Sequence, residues 1–160
     1  MLKIPAYKLP ALLIDGKKEY KKEIVTLEPV SGIREILLQL KEQGYSLGIL
    51  SSNTTENIHK FIALQHLDFF DCIHSATNLF GKHKAIASMV KKLGLSPDEI
   101  LYIGDELRDI EACKKINAKV VAVTWGFDSP ALLAQSSPDF ICHTPEELLR
   151  LVTHGMTRHI

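Results

Sequence analysis

The sequence predicts one Rossmann-like α/β domain, in which helices cover both faces of a mainly parallel sheet. From residue 29 onward, short and almost wholly apolar runs alternate with helical patterns, as expected of strands that are buried on both faces. No repeat, low-complexity segment or linker interrupts this alternation. The length of 160 residues suits a single domain with its own core. Strands and helices in this order form βαβ units and therefore a parallel sheet.

Helix patterns occur in six segments, most of them with a recognisable start or stop residue. In the first, Ser31 is the expected N-cap and Gly44 the expected end, and apolar residues recur at helical spacing between them. The first predicted helix begins after Ser31 and ends at Gly44, and the second begins after Thr54 or Thr55 and ends at Leu64. The other four span 84–93, 109–116, 129–135 and 145–151.

The predicted strands are apolar or rich in β-branched residues, and each lies between two of these helices or next to one. They span 46–50, 71–75, 100–103, 118–123 and 139–142. In an open parallel sheet, ligands bind beyond the carboxyl ends of the strands. The residues that directly follow each strand are therefore the first candidates for a functional site.

Composition and charge exclude several classes of protein. The 19 basic and 19 acidic side chains balance, which argues against a nucleic-acid binder with a basic face. No apolar run approaches the roughly 18 residues of a membrane span, and the first residues do not form a signal peptide. Cys72, Cys113 and Cys142 are far apart and odd in number, so we expect reduced core residues of a cytoplasmic protein.

Polar residues follow the strand 46–50. Ser51, Ser52 and Asn53 bring hydroxyl, amide and backbone N–H groups to the start of a helix, which is a favourable place for an anion. The same residues would also serve as a plain helix cap. Either function is compatible with this segment taken alone.

Two carboxylates follow the strand 100–103. Asp105 and Asp109 are four residues apart, so both side chains can lie on one side of the turn, and oxygen ligands of this kind suit Mg²⁺. The alternative is a pair of acids that interact with a helix dipole. Lys82, at another helix start, has the compact charge to bind a phosphoryl oxygen, although a surface lysine is the simpler explanation.

The order of these segments resembles motifs II, III and IV of the haloacid dehalogenase superfamily, and specifically its phosphoglycolate-phosphatase-like branch. The resemblance covers residues 29 to about 151. The matching segments are Gly48–Asn53, Leu79–Lys82 and Tyr102–Ala112, followed by Val123–Phe127, which is similar to the segment after motif IV. The resemblance implies a three-layer α/β/α core and Mg²⁺-dependent phosphoryl transfer from a small phosphorylated metabolite.

The resemblance also implies roles for individual residues. Ser51 and its neighbours Ser52 and Asn53 would hold phosphoryl oxygens, and Lys82 would neutralise charge shared by the phosphate and an attacking aspartate. Asp105 would help to hold Mg²⁺, with support from Asp109. A negatively charged phosphomonoester repels an attacking carboxylate, and such a site must therefore supply positive charge and oriented donors.

The motif I of the superfamily, a strand that ends in Asp-x-Asp, has no counterpart in this sequence. On one interpretation Asp15 is a degenerate nucleophile, with Lys17 at the acid/base position. On another, residues 1–28 are the trailing part of a helical cap and its linker, and the chain begins after its own nucleophile strand. A divergent site is the third possibility. The domain boundaries expected are 1–28, a core over 29–152 with little or no cap, and a tail over 153–160.

A sheet without its first strand leaves an unpaired edge, since backbone groups there lack partners. We expect the apolar run Pro10–Ile14 or a second copy of the chain, in a homodimer, to cover this edge. The missing motif also favours an alternative function, namely a catalytically inactive domain that binds phosphate ligands or a partner chain.

Overall fold

The computed structural model of the chain describes residues 27–76 and 81–155. A 3₁₀ turn, Pro97–Glu99, precedes the third strand, and a π-helical turn, Leu151–Gly155, follows the last helix. The strands are β1 (Gly48–Ser51), β2 (Cys72–Ser75), β3 (Leu101–Gly104), β4 (Lys119–Val123) and β5 (Phe140–Cys142). The helices are α1 (Ile33–Glu42), α2 (Thr55–Leu64), α3 (Lys82–Lys92), α4 (Leu107–Lys115), α5 (Pro130–Gln135) and α6 (Pro145–Arg150).

All of the strand pairings among residues 27–76 and 81–155 are parallel. β1 pairs with β2, and β3, β4 and β5 form a second group in that order. Both groups contribute to the same two hydrophobic cores: Ile49 and Ile103 belong to one core, and Leu50 and Tyr102 to the other. Successive residues of a strand point to opposite faces. The two groups of strands are therefore parts of one layer.

The helices divide between the two faces of this layer. The first core is built from α1, α2 and α6, for example by Leu40, Phe61 and Leu148. The second core is built from α3, α4 and α5, for example by Ile86 and Ile110. The predicted three-layer, Rossmann-like α/β/α arrangement is thus confirmed.

Helix α1 illustrates where the sequence prediction was right and where it was wrong. Its predicted apolar face is buried, and Gly44 follows its end with φ 87°, a conformation that glycine adopts without strain. Ser31 is not its N-cap. The N-cap is Gly32, at φ 81°, and no side chain caps this end, because the left-handed turn at Gly32 starts the helix one residue later.

Two other helix ends matter for the site. Thr54 caps α2 as predicted, and its hydroxyl accepts a hydrogen bond from the N–H of Asn57. Helix α2 ends at Leu64, as predicted, and Leu64 itself is exposed. Helices α3 and α4 begin earlier than predicted, at Lys82 and Leu107, so Lys82 and Asp109 both lie in a first helical turn.

The three cysteines are free thiols, and two of them lie in the cores as expected. Cys113 and Cys142 are buried, whereas Cys72 is partly buried. Burial raises the pKa of all three thiols, that of Cys142 to about 11, so they are protonated at neutral pH. Within residues 27–76 and 81–155, no helix has the length and apolar character needed to cross a membrane.

Several predictions concern residues outside the described ranges. Among them are the nucleophile candidate Asp15 and the strand Pro10–Ile14. Of the cap remnant predicted over residues 1–28, only residues 27 and 28 lie within the described ranges. The predicted tail overlaps the π-helical turn at 153–155, where the hydroxyl of Thr153 donates to the carbonyl oxygen of Leu149 at 2.8 Å.

Candidate active site

Buried polar side chains mark the carboxyl ends of two strands. Among the described residues, the buried polar or charged ones are Ser51, at the end of β1, and Asp105, Glu106 and Asp109, after β3. Charged side chains are almost never fully buried unless they are paired or have a specific partner. The end of β3 is therefore the place in the described structure where burial of charge needs an explanation.

Lys82 is the cation that accompanies these acids. Its ammonium lies 3.0 Å from Glu106 Oε2 and 2.5 Å from Asp109 Oδ1. The Lys82 side chain is 18% exposed and that of Asp109 is 0% exposed, so a plain surface lysine is excluded. Helices α3 and α4 pack against each other, and their first turns bring the predicted residues Lys82 and Asp109 together.

Two glycines allow the carboxylates to approach the backbone. A Cβ atom at Gly104 would lie 2.5 Å from Oδ2 of Asp109, and a Cβ atom at Gly126 would overlap the side chain of Asp105. Any residue other than glycine would therefore have to displace one of the two acids. The sequence analysis did not single out Gly126, since its sequence context shows no reason for a close approach.

The loop after β4 holds Asp105 in place. The N–H of Phe127 donates to Asp105 Oδ2 at 2.8 Å, and the N–H of Asp128 donates to the carbonyl oxygen of Asp105 at 3.0 Å. Asp128 Oδ2 in turn accepts from the N–H of Leu107, at the start of α4. These contacts fix the turn that carries Asp105 and Asp109.

Glu106 and Arg108 belong to the same cluster, although the sequence analysis did not identify either of them. Glu106 Oε2 accepts from Arg108 Nη2 at 2.9 Å and from Lys82 Nζ at 3.0 Å. The available signal was their position between the two aspartates of the motif. That position does not by itself indicate burial, because charged residues at a helix start are usually exposed.

The segment after β1 is held by local hydrogen bonds. Ser51 is buried and its hydroxyl accepts from the N–H of Asn53 at 3.1 Å, whereas Ser52 is exposed. Asn53 Oδ1 accepts from the N–H of Thr54 and from Asn57 Nδ2. The side chain of Asn53 thus stabilises the start of α2, as in the cap interpretation.

Tyr102, in β3, lies close to Asp109. It is fully buried in the second core, and burial, followed by the negative charge of Asp109, raises the pKa of its hydroxyl well above 10. The phenol is therefore neutral at every physiological pH. It contributes packing to the second core and no charge.

The donor set fits a hard cation. Asp105 and Asp109 supply carboxylate oxygens, and Mg²⁺ is commonly bound through one or two carboxylates together with waters and phosphate oxygens. The described residues contain no group of three or more His, Cys, Asp or Glu side chains arranged to hold a metal. A complete protein cage is thus not formed by this part of the chain, and Mg²⁺ does not require one.

The sequence is similar to a known family and to individual known enzymes. Residues 5–123 match the family of haloacid dehalogenase-like hydrolases, and the match begins upstream of residue 29, where the motif resemblance starts. A phosphoglycolate phosphatase of Synechococcus elongatus is 37% identical over 131 residues, which are 81% of this chain and 62% of the relative. The pyrophosphatase PpaX of Bacillus cereus is 28% identical over 79% of this chain and 61% of its own length.

The fold has a counterpart of known structure. A haloacid dehalogenase-like hydrolase from Streptococcus pneumoniae superposes with a TM-score of 0.76 and 27% identity, over 83% of this chain and 64% of the other. The chain therefore spans less than two thirds of the length of these proteins. Fold, motifs and sequence similarity agree, and the chain belongs to the haloacid dehalogenase-like hydrolase family.

Proposed function

We propose that the chain is a phosphatase domain, a phosphoric monoester hydrolase that acts on a small phosphorylated metabolite with Mg²⁺. The observation that carries the proposal is that the partly buried Lys82 pairs with the buried Asp109, which follows β3 together with the buried Asp105. The names of two relatives, a phosphoglycolate phosphatase and a pyrophosphatase, support phosphate chemistry. Both named substrates carry a second acidic group beside one phosphoryl group.

The charges of the cluster explain why a divalent cation belongs in this proposal. Lys82 and Arg108 stand against three carboxylates, those of Asp105, Glu106 and Asp109. With one negative charge in excess, these five side chains repel a phosphate dianion. Bound Mg²⁺ would supply the missing positive charge and polarise a phosphoryl oxygen. Asp105 would hold it, and Asp109 would orient Lys82 beside it.

Ser51 completes the proposed phosphate site from the neighbouring strand. β1 and β3 contribute to the same two hydrophobic cores. In a parallel α/β sheet the carboxyl ends of the strands lie at one edge, and we infer this arrangement for β1 and β3. The hydroxyl of Ser51 and the N–H groups of Ser52 and Asn53 would then bind phosphoryl oxygens, while Lys82 neutralises their charge. Ser52 and Asn53 contribute through the backbone, because the Asn53 side chain caps α2.

The nucleophile is the part of the proposal that lies outside the described residues. Asp15 is the candidate in this sequence, and the residue two positions later is Lys17. The absence of Asp-x-Asp from the sequence favours a second candidate function: a domain that binds phosphate ligands or a partner chain without turnover. A cytoplasmic location and a homodimer that covers the sheet edge remain predictions.

Hydrolysis of a generic phosphomonoester, measured with and without Mg²⁺, tests the enzymatic proposal. We expect Mg²⁺-dependent release of phosphate that is lost in Asp105→Asn, because the amide cannot supply the same negative ligand. Asp98→Asn is the matched control, since Asp98 lies in the turn before β3, at the opposite end of that strand. Absence of turnover in the wild-type protein with ample Mg²⁺ would remove the catalytic proposal.

Calorimetry separates the two candidate functions. Titration with MgCl₂, and with inorganic phosphate in the presence of Mg²⁺, is expected to show binding that Asp105→Asn weakens. Binding without turnover would favour the inactive, ligand-binding domain. Neither binding nor turnover would leave a partner chain as the remaining function.

A further inference from the structure

Arg108 and Lys82 share one acceptor. Arg108 Nη2 donates to Glu106 Oε2 at 2.9 Å, and Lys82 Nζ contacts the same oxygen at 3.0 Å. A guanidinium and an ammonium that share one carboxylate oxygen lie side by side. Glu106 therefore fixes two cations next to each other at the carboxyl end of β3.

The two cations differ in depth. The side chain of Lys82 is 18% exposed, and that of Arg108 is 38% exposed. Lys82 also contacts Asp109, which is fully buried, so Lys82 is the inner cation and Arg108 the outer one. Arg108 thus adds a second positive charge beside Lys82 and nearer to solvent.

We propose that Arg108 is a specificity-determining residue that selects substrates with a second anionic group beside the transferred phosphoryl group. Glu106 is its positioning residue. A guanidinium is a planar cation whose geometry matches a carboxylate or a phosphate, and it keeps its positive charge while it contacts Glu106. The inference depends on the proposed phosphate site at Lys82 and Asp105.

Stability alone does not account for this arrangement. The carboxylate of Glu106 is 6% exposed and has Lys82 as a partner, so its burial does not require a second cation on the same oxygen. A partly exposed Arg–Glu pair contributes at most about 1 kcal/mol. Arg108 adds positive charge on the solvent side of Lys82.

Calorimetry with two probes of different length tests the proposal, in buffer with Mg²⁺. Inorganic phosphate offers one anionic group, and pyrophosphate offers two. In Arg108→Gln we expect the Kd for pyrophosphate to rise about tenfold, the value of one charge-assisted contact, with inorganic phosphate nearly unaffected. Arg108→Lys, which keeps the charge and loses the planar geometry, should fall between this variant and the wild type.

Arg150→Gln is the matched control, because Arg150 is an exposed residue of α6 and its loss changes the net charge equally. It should leave both affinities unchanged. Equal weakening of both probes in Arg108→Gln, or no change in either, would overturn the role of Arg108. If the wild type binds neither probe, the proposed phosphate site fails and the inference falls with it.

The positioning role of Glu106 has its own readout, the ratio of the affinities for pyrophosphate and phosphate. Glu106→Gln keeps an acceptor oxygen but loses the charge that orients Arg108, so the ratio should fall. Adding Arg108→Gln to this variant should then cause little further loss. A ratio that stays at the wild-type value in Glu106→Gln would show that Glu106 does not act through Arg108.

Discussion

A Lys–Asp ion pair lies at each end of the strand layer, and the two pairs are built differently. At the amino end, before β1 and β2, Lys41 pairs with Asp71, and their side chains are 32% and 40% exposed. At the carboxyl end of β3, Lys82 pairs with Asp109, which has no exposed surface. The same two residue types thus occur once at the surface and once in the interior.

The exposed pair has a structural explanation. Asp71 Oδ2 accepts from the N–H of Leu47 at 2.7 Å, and the N–H of Asp71 donates to the carbonyl oxygen of Leu47 at 2.8 Å. These bonds fix the starts of β1 and β2 relative to each other. Lys41, in the last turn of α1, adds charge compensation in contact with water.

The buried pair has no comparable explanation from stability. Taking an ion out of water costs several kcal/mol, and apolar residues of similar size often stabilise a protein as well or better. The chain nevertheless buries Asp105, Glu106 and Asp109 and keeps glycines at 104 and 126 to make room for two of them. A ligand site at the carboxyl end would explain why charged side chains are buried there and exposed at the amino end.

Removal of each lysine gives the largest expected contrast. Lys82→Met should lower the free energy of unfolding by about 3 kcal/mol, because a buried carboxylate loses its cation. Lys41→Met should lower it by no more than about 1 kcal/mol, since water solvates Asp71. Urea denaturation of both variants, at neutral pH and without Mg²⁺, measures the difference.

The double variant Lys82→Met with Asp109→Asn sharpens this comparison. Because it removes both charges, it should recover part of the stability lost in Lys82→Met alone. Equal losses in Lys82→Met and Lys41→Met would contradict the distinction between a buried and an exposed pair.

The glycines give a second, smaller contrast. Gly126→Ala should cost about 2 kcal/mol of stability, because its Cβ atom overlaps Asp105. Gly44→Ala is the control: its φ of 87° strains an alanine, at about 1 kcal/mol, but no heavy atom lies within 4 Å of the new Cβ atom.

Mg²⁺ separates the effects of these two variants. A rise in melting temperature on addition of Mg²⁺ should persist in Gly44→Ala and be lost in Gly126→Ala, because Asp105 is displaced only in the latter. Retention of the rise in both variants would show that the position of Asp105 is not critical for the cation.

The spacing of apolar residues predicted the helices and strands of the α/β/α layers. The residues that follow the strands predicted the position of the candidate active site. The apolar spacing of Ile33, Ile36, Leu37 and Leu40 depends on local sequence alone, and so did its prediction. The contacts of Glu106 depend on α3 packing beside α4, which no local pattern encodes. The same applies to Gly126, whose requirement for glycine comes from Asp105, 21 positions earlier in the chain and adjacent in space.

The predicted N-cap of α1 was wrong because of the local backbone conformation. Ser31 has the right side chain for an N-cap, but Gly32 takes the left-handed conformation and becomes the N-cap itself. Lys82 shows the opposite case. Its pattern equally allowed a surface residue, and the resemblance to motif III implied a role at a phosphate; in the structure its side chain is partly buried and contacts Asp109. Its chemical role stays a prediction.

The smallest expected effect concerns the pH dependence of the exposed pair. Partial burial acts to raise the pKa of Asp71, but the hydrogen bonds from Lys41 and the N–H of Leu47 outweigh it and lower the pKa below 3.8. A lowered folded-state pKa contributes stability that is fully present above the unfolded value and is lost as the pH falls through the folded value. In Asp71→Asn, an oxygen can still accept from Leu47, so the variant removes mainly the charge. At neutral pH, the free energy of unfolding of the wild type should exceed that of Asp71→Asn by less than about 1 kcal/mol. Urea denaturation should show that this difference shrinks below pH 3.8. A difference that grows on acidification would reverse the sign of this linkage and would show that Asp71 is held in its protonated form.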